Sequence, residues 1–404
     1  MGVDSTSPPP RERLVLLVVA AVQFVNILDF MIVMPLGPDF AGALRIPESN
    51  LGFVAGSYTA AAAVAGLLSS LFLDRFDRRP AIALAMCGLA VGTFGGAFAT
   101  DLPSLVAARV VAGAFGGPAS ALSLSIVSDV VPPERRGKAM GFVMGAFSLA
   151  SVVGVPAALE LARRADWRMP FFAVAALGAV VTVAAQALLP PLRGHLTTGA
   201  ARTPVSTLFT RPALLYSYAM AITAMMSTFV VVPNISAYVQ GNLDFPRGHL
   251  GLLYLAGGVA SLASNGLAGR LVDRFGSFRI GTFGSLGFAL VIWVGFGAER
   301  AWIPVIAVFA TMMIAASFRG VSFNALTSKV PLPSERARFL SVLSSMQHTG
   351  AAIGAFVSAR LLTTRAGGGL DGMETVAGVS IVVAMALPLL LRAVETRVHA
   401  VGAS

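Results

Sequence analysis

The chain has 404 residues, 56% of them hydrophobic and only 12% charged, with a formal net charge of +10 and a mean hydropathy of +0.80. A soluble protein of this size could not hide so much apolar surface, so a lipid bilayer is the expected solvent. The single Cys87 excludes a disulfide framework or thiolate cluster, and histidines at 195, 249, 348 and 399 lack ligand spacing, so no metal or other cofactor is expected.

Residues 1–13 are polar, include Pro8, Pro9 and Pro10, and read as a disordered cytoplasmic tail. The run from Leu14 to Gly37 is longer than the apolar core of a secretory signal, holds Asp29 and lacks a small-residue cleavage site, so it reads as a first span. Further apolar runs lie near 51–73, 81–100, 103–127, 138–160 and 169–190. A polar stretch, 191–211, follows as a cytoplasmic linker, and a second set lies near 212–239, 250–272, 280–298, 302–325, 337–362 and 373–392. Each run is close to the ~20 residues a helix needs to cross the hydrocarbon. The fold expected is an all-α polytopic membrane protein with twelve transmembrane helices in two six-helix bundles, 14–190 and 212–392, and a cytoplasmic tail, 393–404.

The two halves repeat. Asp74-Arg75-Phe76 recurs as Asp273-Arg274-Phe275, and Pro133-Glu134-Arg135 has a counterpart in Ser334-Glu335-Arg336. Halves of like orientation are related by a pseudo-twofold axis along the membrane normal, with a solute site near the midplane between them. With the N-terminus in the cytoplasm, 19 of the 29 basic residues fall on that side and eight outside, while Arg109 and Arg319 fall within spans. That asymmetry is the positive-inside signature, and an even number of spans puts both termini in the cytoplasm. It accounts for the net charge without nucleic acid.

Two charges stand inside the spans at similar depth. Asp29 is roughly 12 Å and Arg109 roughly 9 Å from the outer ends of spans one and four, at ~1.5 Å per residue. Intramembrane charges usually pair and usually serve function. Arginine does not deprotonate in practice, so Asp29 is the titrating member. The pair either couples proton movement to transport or is a permanent structural bridge. Arg319, near the end of span ten, is expected to snorkel to the cytoplasm. His348 lies near the middle of span eleven, on a polar stripe with Ser341, Ser344 and Ser345 at helical spacing. Its imidazole carries protons, reads a hydroxylated solute, or packs as a neutral hydrogen-bonded residue. Gln347 points about 100° away and serves another side of the stripe. In span seven, Thr223, Ser227, Asn234 and Tyr238 share a face that ends near Pro233, a break. Gln23 and Asn26 in span one and Tyr58 in span two add amide and phenol groups, so the candidate cavity holds a few polar groups among many apolar ones. Each of these is as suited to holding helices together as to touching substrate.

The chain resembles the major facilitator superfamily over essentially its whole length. The superfamily's cytoplasmic loop motif, Gly-x-Leu-x-Asp-Arg-x-Gly-Arg-Lys, is matched by Asp74, Arg75, Arg78 and Arg79, with Ser70 and Asp77 where glycines are expected. The second half keeps Gly269, Leu271, Asp273, Arg274 and Gly276. Leu105-x3-Arg109-x3-Gly113 is similar to the fourth-helix motif of drug/proton antiporters, and the segment from Asn26 to Pro38 to bacterial arabinose efflux permeases. The fifth-helix antiporter signature is degenerate: Gly145, Gly154 and Pro156 remain, but Leu159 and Glu160 replace its glycine pair. The resemblance implies that Asp74 abuts the start of span eleven, and Asp273 the start of span five near Ala139–Gly141. These contacts latch the cytoplasmic faces in the outward-open state, with Arg75, Arg78, Arg79 and Arg274 holding loop and headgroups. The function expected is a monomeric secondary transporter in the bacterial inner membrane exporting a small organic solute, a drug-like compound or a sugar, against protons. Proton-coupled uptake or symport of a sugar or other small metabolite is the alternative. Neither a phosphate-binding loop for an ATP pump nor a nucleophile constellation for a membrane enzyme is present, and short loops with a twofold repeat disfavour a receptor.

Overall fold

The computed structural model describes residues 10–72, 75–193, 208–299, 304–332, 335–366 and 368–402. The tail 1–9, most of the linker (194–207) and Asp74 lie outside the described residues. The first half contains α1 (Pro10–Ile32), α2 (Leu51–Phe72), α3 (Arg78–Gly96), α4 (Leu102–Val130), α5 and α6 (Met169–Leu188). Helix α5 runs as Pro133–Leu149, a π-helical turn Ala150–Gly154, and Val155–Arg164. The second half contains α7, α8 (Leu250–Phe275), α9 (Ser277–Phe296), α10 (Val305–Thr327), α11 (Arg336–Leu361) and α12 (Met373–Gly402). Helix α7 runs from Pro212–Phe229 through a 3-10 turn, Val232–Asn234, into Ile235–Gly241, so the break falls at Pro233. The only strands among the described residues are β1 (Thr363–Thr364) and β2 (Leu370–Asp371), an antiparallel pair in which Thr363 faces Asp371.

Eleven of these helices are long and apolar enough to cross a bilayer. Helix α11 is as long but carries Arg336, Arg338, Ser341, Ser344, Ser345, Gln347 and His348, which lower its hydropathy. Packing repeats between the halves. Helix α2 lies on α4 as α8 lies on α10; α3 meets α4 and α6 as α9 meets α10 and α12; α1 meets α5 and α6 as α7 meets α11 and α12. The halves join mainly through α2 against α11 and through α5 against α8.

Local chemistry sets the helix ends. Asp101 and Ser104 form a reciprocal capping box at the start of α4, which fixes where Arg109 falls two turns later. Asp77, standing in place of a motif glycine, caps α3 by accepting from the Arg79 N–H at 3.0 Å, and also accepts from the Leu192 N–H and Arg193. Partial burial alone would lift its carboxyl, but the hydrogen bonds from Arg193, Arg79 and Leu192 hold it below the ordinary value. In the second half Glu395, near the end of α12, accepts from the Phe278 N–H at the start of α9, so one job is done at equivalent places by different residues. Helix α1 starts at Pro10 and α12 continues to Gly402, both past the expected edges of the spans.

The face opposite the chain termini is closed. Arg247 forks onto Asp39 at 2.6–3.1 Å, joining the second half to a short helix, Gly37–Leu44, that follows α1. Nearby, the Ser49 N–H donates to the Thr364 hydroxyl at 3.1 Å. Helices α5 and α8 touch where a Cβ at Gly258 would sit 3.0 Å from the Ser151 carbonyl. Toward the terminus face the same side of α5 presents Gly137, Gly141 and Gly145 with nothing within 4 Å of a Cβ, and Gly266 and Gly269 of α8 are equally open. The two helices therefore meet at their far-face halves and splay toward the termini.

Candidate functional site

The first half assembles a continuous polar chain among α1, α2, α3 and α4. Arg109 forks onto Asp29, Nη1 to Oδ1 at 2.9 Å and Nη2 to Oδ2 at 2.8 Å, and neither side chain is more than 1% exposed. Thr93 of α3 donates to Asp29 Oδ1 at 2.7 Å, filling a further lone pair. The Arg109 guanidinium lies 4.7 Å from the centroid of the Tyr58 ring. The Tyr58 hydroxyl donates to Asn26 Oδ1 at 2.8 Å, and Asn26 Nδ2 donates to the Gly116 carbonyl and the Ser120 hydroxyl. Ser120 in turn donates to Gln23 at 3.3 Å. Glycines make this possible: a Cβ at Gly113 would strike the Tyr58 carbonyl oxygen, and one at Gly116 the Tyr58 hydroxyl. The structure thus joins Asp29, Arg109, Tyr58, Asn26 and Gln23, and adds Thr93 and Ser120. A threonine or serine on an apolar helix carries no signal of its own, so sequence reasoning passed over both.

On α11, Ser344, Gln347 and His348 are half-buried, whereas Ser345 is 1% exposed and packs toward Gly66 of α2. The α7 residues do not share that setting. Asn234 donates to Ser358 on α11 at 3.0 Å, and Tyr238 packs its ring 5.4 Å from Phe296. Both belong to the closed far-face end of the molecule. Ser227 is fully buried, and its hydroxyl accepts from Arg319 Nη2 at 2.6 Å. Arg319 does not snorkel: it is 3% exposed, with its guanidinium 4.2 Å from the Phe288 ring centroid. The expectation failed because the side chain turns inward between α9 and α7 instead of reaching along α10 toward its end.

The sequence profile of the Major Facilitator Superfamily matches residues 19–233 and, a second time, residues 217–403. The chain belongs to that superfamily. Among curated relatives it is 24% identical to YtbD, an MFS-type transporter of Bacillus subtilis, over 59% of this chain and 60% of the relative. It is 24% identical to YfhI of the same organism over 84% and 82%, and 26% identical to a chloramphenicol resistance protein of Streptomyces lividans over 64% and 66%. The fold of a D-xylose–proton symporter superposes with a TM-score of 0.74 at 18% identity, covering 94% of this chain and 97% of that one. A bacterial homologue of the lysosomal transporter Spinster, in an inward-facing and occupied conformation, also gives 0.74, at 14% identity over 96% and 98%. The protein is therefore a multi-pass membrane transporter, a secondary carrier of small molecules working by alternating access, and not an enzyme.

The superfamily's loop residues are dispersed. Arg75 is exposed, Arg78 pairs with Asp129 at 3.2 Å within the first half, and Arg79 lends its backbone N–H to Asp77. Asp273 is exposed, and Arg274 lies 5.1 Å from the Phe275 ring. Gly141, at the meeting point expected for Asp273, has nothing within 4 Å of a Cβ. That open space lies where α5 splays from α8.

Proposed function

We propose that this superfamily member is a proton-coupled exporter of a small organic solute in the bacterial inner membrane. It works as a monomer of twelve crossing helices, with bundles 14–190 and 212–392 related by a pseudo-twofold axis and both termini cytoplasmic. The surplus of basic residues on the terminus side supports that orientation. Relatives named as an inner membrane transport protein of Escherichia coli and a chloramphenicol resistance protein support location and export. On this reading the closed far face is the periplasmic one, and the splayed α5 and α8 open toward the cytoplasm.

The observation that carries the coupling is the Asp29–Arg109 fork, in which a titratable carboxylate is sealed among apolar helices. Protonating Asp29 releases Arg109, and the freed guanidinium then pulls on the buried chain of Tyr58, Asn26 and Gln23. His348, Ser344 and Gln347 would face the solute from α11, with Ser227 behind them. Asp74, Arg75, Arg78, Arg79, Asp273 and Arg274 would latch the cytoplasmic ends once α5 and α8 close. The test is flux in inside-out vesicles across a panel including chloramphenicol and simple sugars, with and without an imposed pH gradient. Wild type is expected to release protons as solute moves in. An Asp29→Asn variant that still exchanges protons for solute sinks the coupling role. Solute uptake from the opposite vesicle orientation alone would favour symport.

A further inference from the structure

Six charged side chains are buried among the described residues: Glu12, Asp29, Arg78, Arg109, Arg319 and Glu335. Five have an ionic partner, in the pairs Glu12–Arg135, Arg78–Asp129, Asp29–Arg109 and Glu335–Arg211. Arg319 is the exception. Its contacts are a serine hydroxyl and an aromatic face, and its Nε is buried with no hydrogen-bond partner. The Ser322 hydroxyl, one turn along α10, is also buried and unpartnered. A charge deep in a span costs at least about 2.5–3.5 kcal/mol. A hydroxyl dipole and a ring quadrupole offset only part of that.

We infer that Arg319, with Ser227, binds the acidic group of the transported solute, so that the cargo class is organic acids carrying a carboxylate. This rests on the transporter reading above and narrows its substrate. Ser227 lies on α7 between half-buried Met226 and Thr228, and α7 packs directly on α11, which carries the half-buried Ser344, Gln347 and His348. A carboxylate matches the planar fork of a guanidinium and would engage the donors that Ser227 leaves idle. Among the described residues the buried carboxylates Glu12, Asp29 and Glu335 all have cationic partners already. The intramembrane carboxylate of the first half, Asp29, is covered by both Arg109 nitrogens and the Thr93 hydroxyl.

The experiment follows thermal unfolding of the purified full chain with benzoate, its neutral analogue benzamide, and benzylammonium. Wild type should be stabilised by benzoate about 2–4 °C beyond benzamide, and not by benzylammonium. In R319Q that preference should vanish, while R319K, which keeps the charge but not the fork, retains part of it. Without any probe, R319Q should unfold at or above the wild-type temperature, because it relieves an uncompensated charge. A probe-free R319Q that unfolds several degrees lower or fails to fold marks the arginine as structural and overturns the inference. So does equal stabilisation of wild type by benzoate and benzamide, or a benzoate preference that survives in R319Q. No proton gradient or flux enters these measurements, so their failure is separable from failure of proton coupling.

Discussion

Each half of the chain buries an arginine well inside a span, Arg109 in α4 and Arg319 in α10, and the two are treated differently. Arg109 reaches a carboxylate through two parallel hydrogen bonds, with a threonine completing the carboxylate's shell and a tyrosine ring beneath the guanidinium. Arg319 has the ring and the hydroxyl but no carboxylate. The first arrangement is a neutral unit that stabilises itself so long as both partners stay. The second leaves a net positive charge that something else must balance. The pseudo-repeat thus conserves a backbone plan while placing different electrostatics within it.

The contrast breaks most sharply if Arg109 is removed. R109Q leaves Asp29 buried without its cation, which should lower stability by about 3–5 kcal/mol, seen as a large fall in unfolding temperature. If R109Q and R319Q move that temperature in the same direction, the two sites are not different in kind. Next comes S227D, which gives Arg319 the carboxylate it lacks. It should add about 1.5–3 kcal/mol of stability for a charge-assisted bond, seen as a higher unfolding temperature, and abolish the benzoate preference. A lowered temperature would show that the site has no room for an internal anion.

Two milder variants touch neither arginine and should leave the contrast intact. The Asp39–Arg247 pair is about one quarter exposed on each side, so D39N should shift the conformational balance by about 0.2–1 kcal/mol. Spin-label distances across the far face should lengthen, and a D39R/R247D swap should restore them. The smallest effect is expected at Glu299, where hydrogen bonding from Arg365, against slight desolvation, and then from Asn242 holds the carboxyl below its ordinary value of 4.5. A depressed carboxyl stabilises the fold above its unfolded value and loses that contribution as pH falls through the folded one. E299Q should therefore be less stable than wild type above about pH 4.5, by a few tenths of a kcal/mol given its exposure, and the difference should shrink as acid unfolding is followed below that pH.

Much of this was legible in the residues. Asp29 and Arg109 stood out because charges are rare in apolar runs, and equal depth was enough to pair them. Pro233 announced the break in α7 because proline removes a donor. The loop motif announced the repeat, yet its Asp77 looked like a defect in a glycine position and proved to be a helix cap with two further partners. Arg319 was visible as an intramembrane charge but was misread, since counting residues to the helix end says nothing about which way a side chain turns. Asp39 and Arg247, 208 residues apart, gave no hint of each other.

By itself the sequence determined what depends on composition and local order: the solvent, the number of apolar runs and their repeat. Those features follow from transfer free energies, which act residue by residue, whereas the ends of α1 and α12 ran past the edges the apolar runs marked. Only the tertiary structure decided which buried charges are balanced, which polar groups link into a chain from Gln23 to Thr93, and which end of the α5–α8 contact is closed. These depend on distances between segments far apart in the chain, and an electrostatic or hydrogen-bonded contact exists only when such segments meet within a few ångströms.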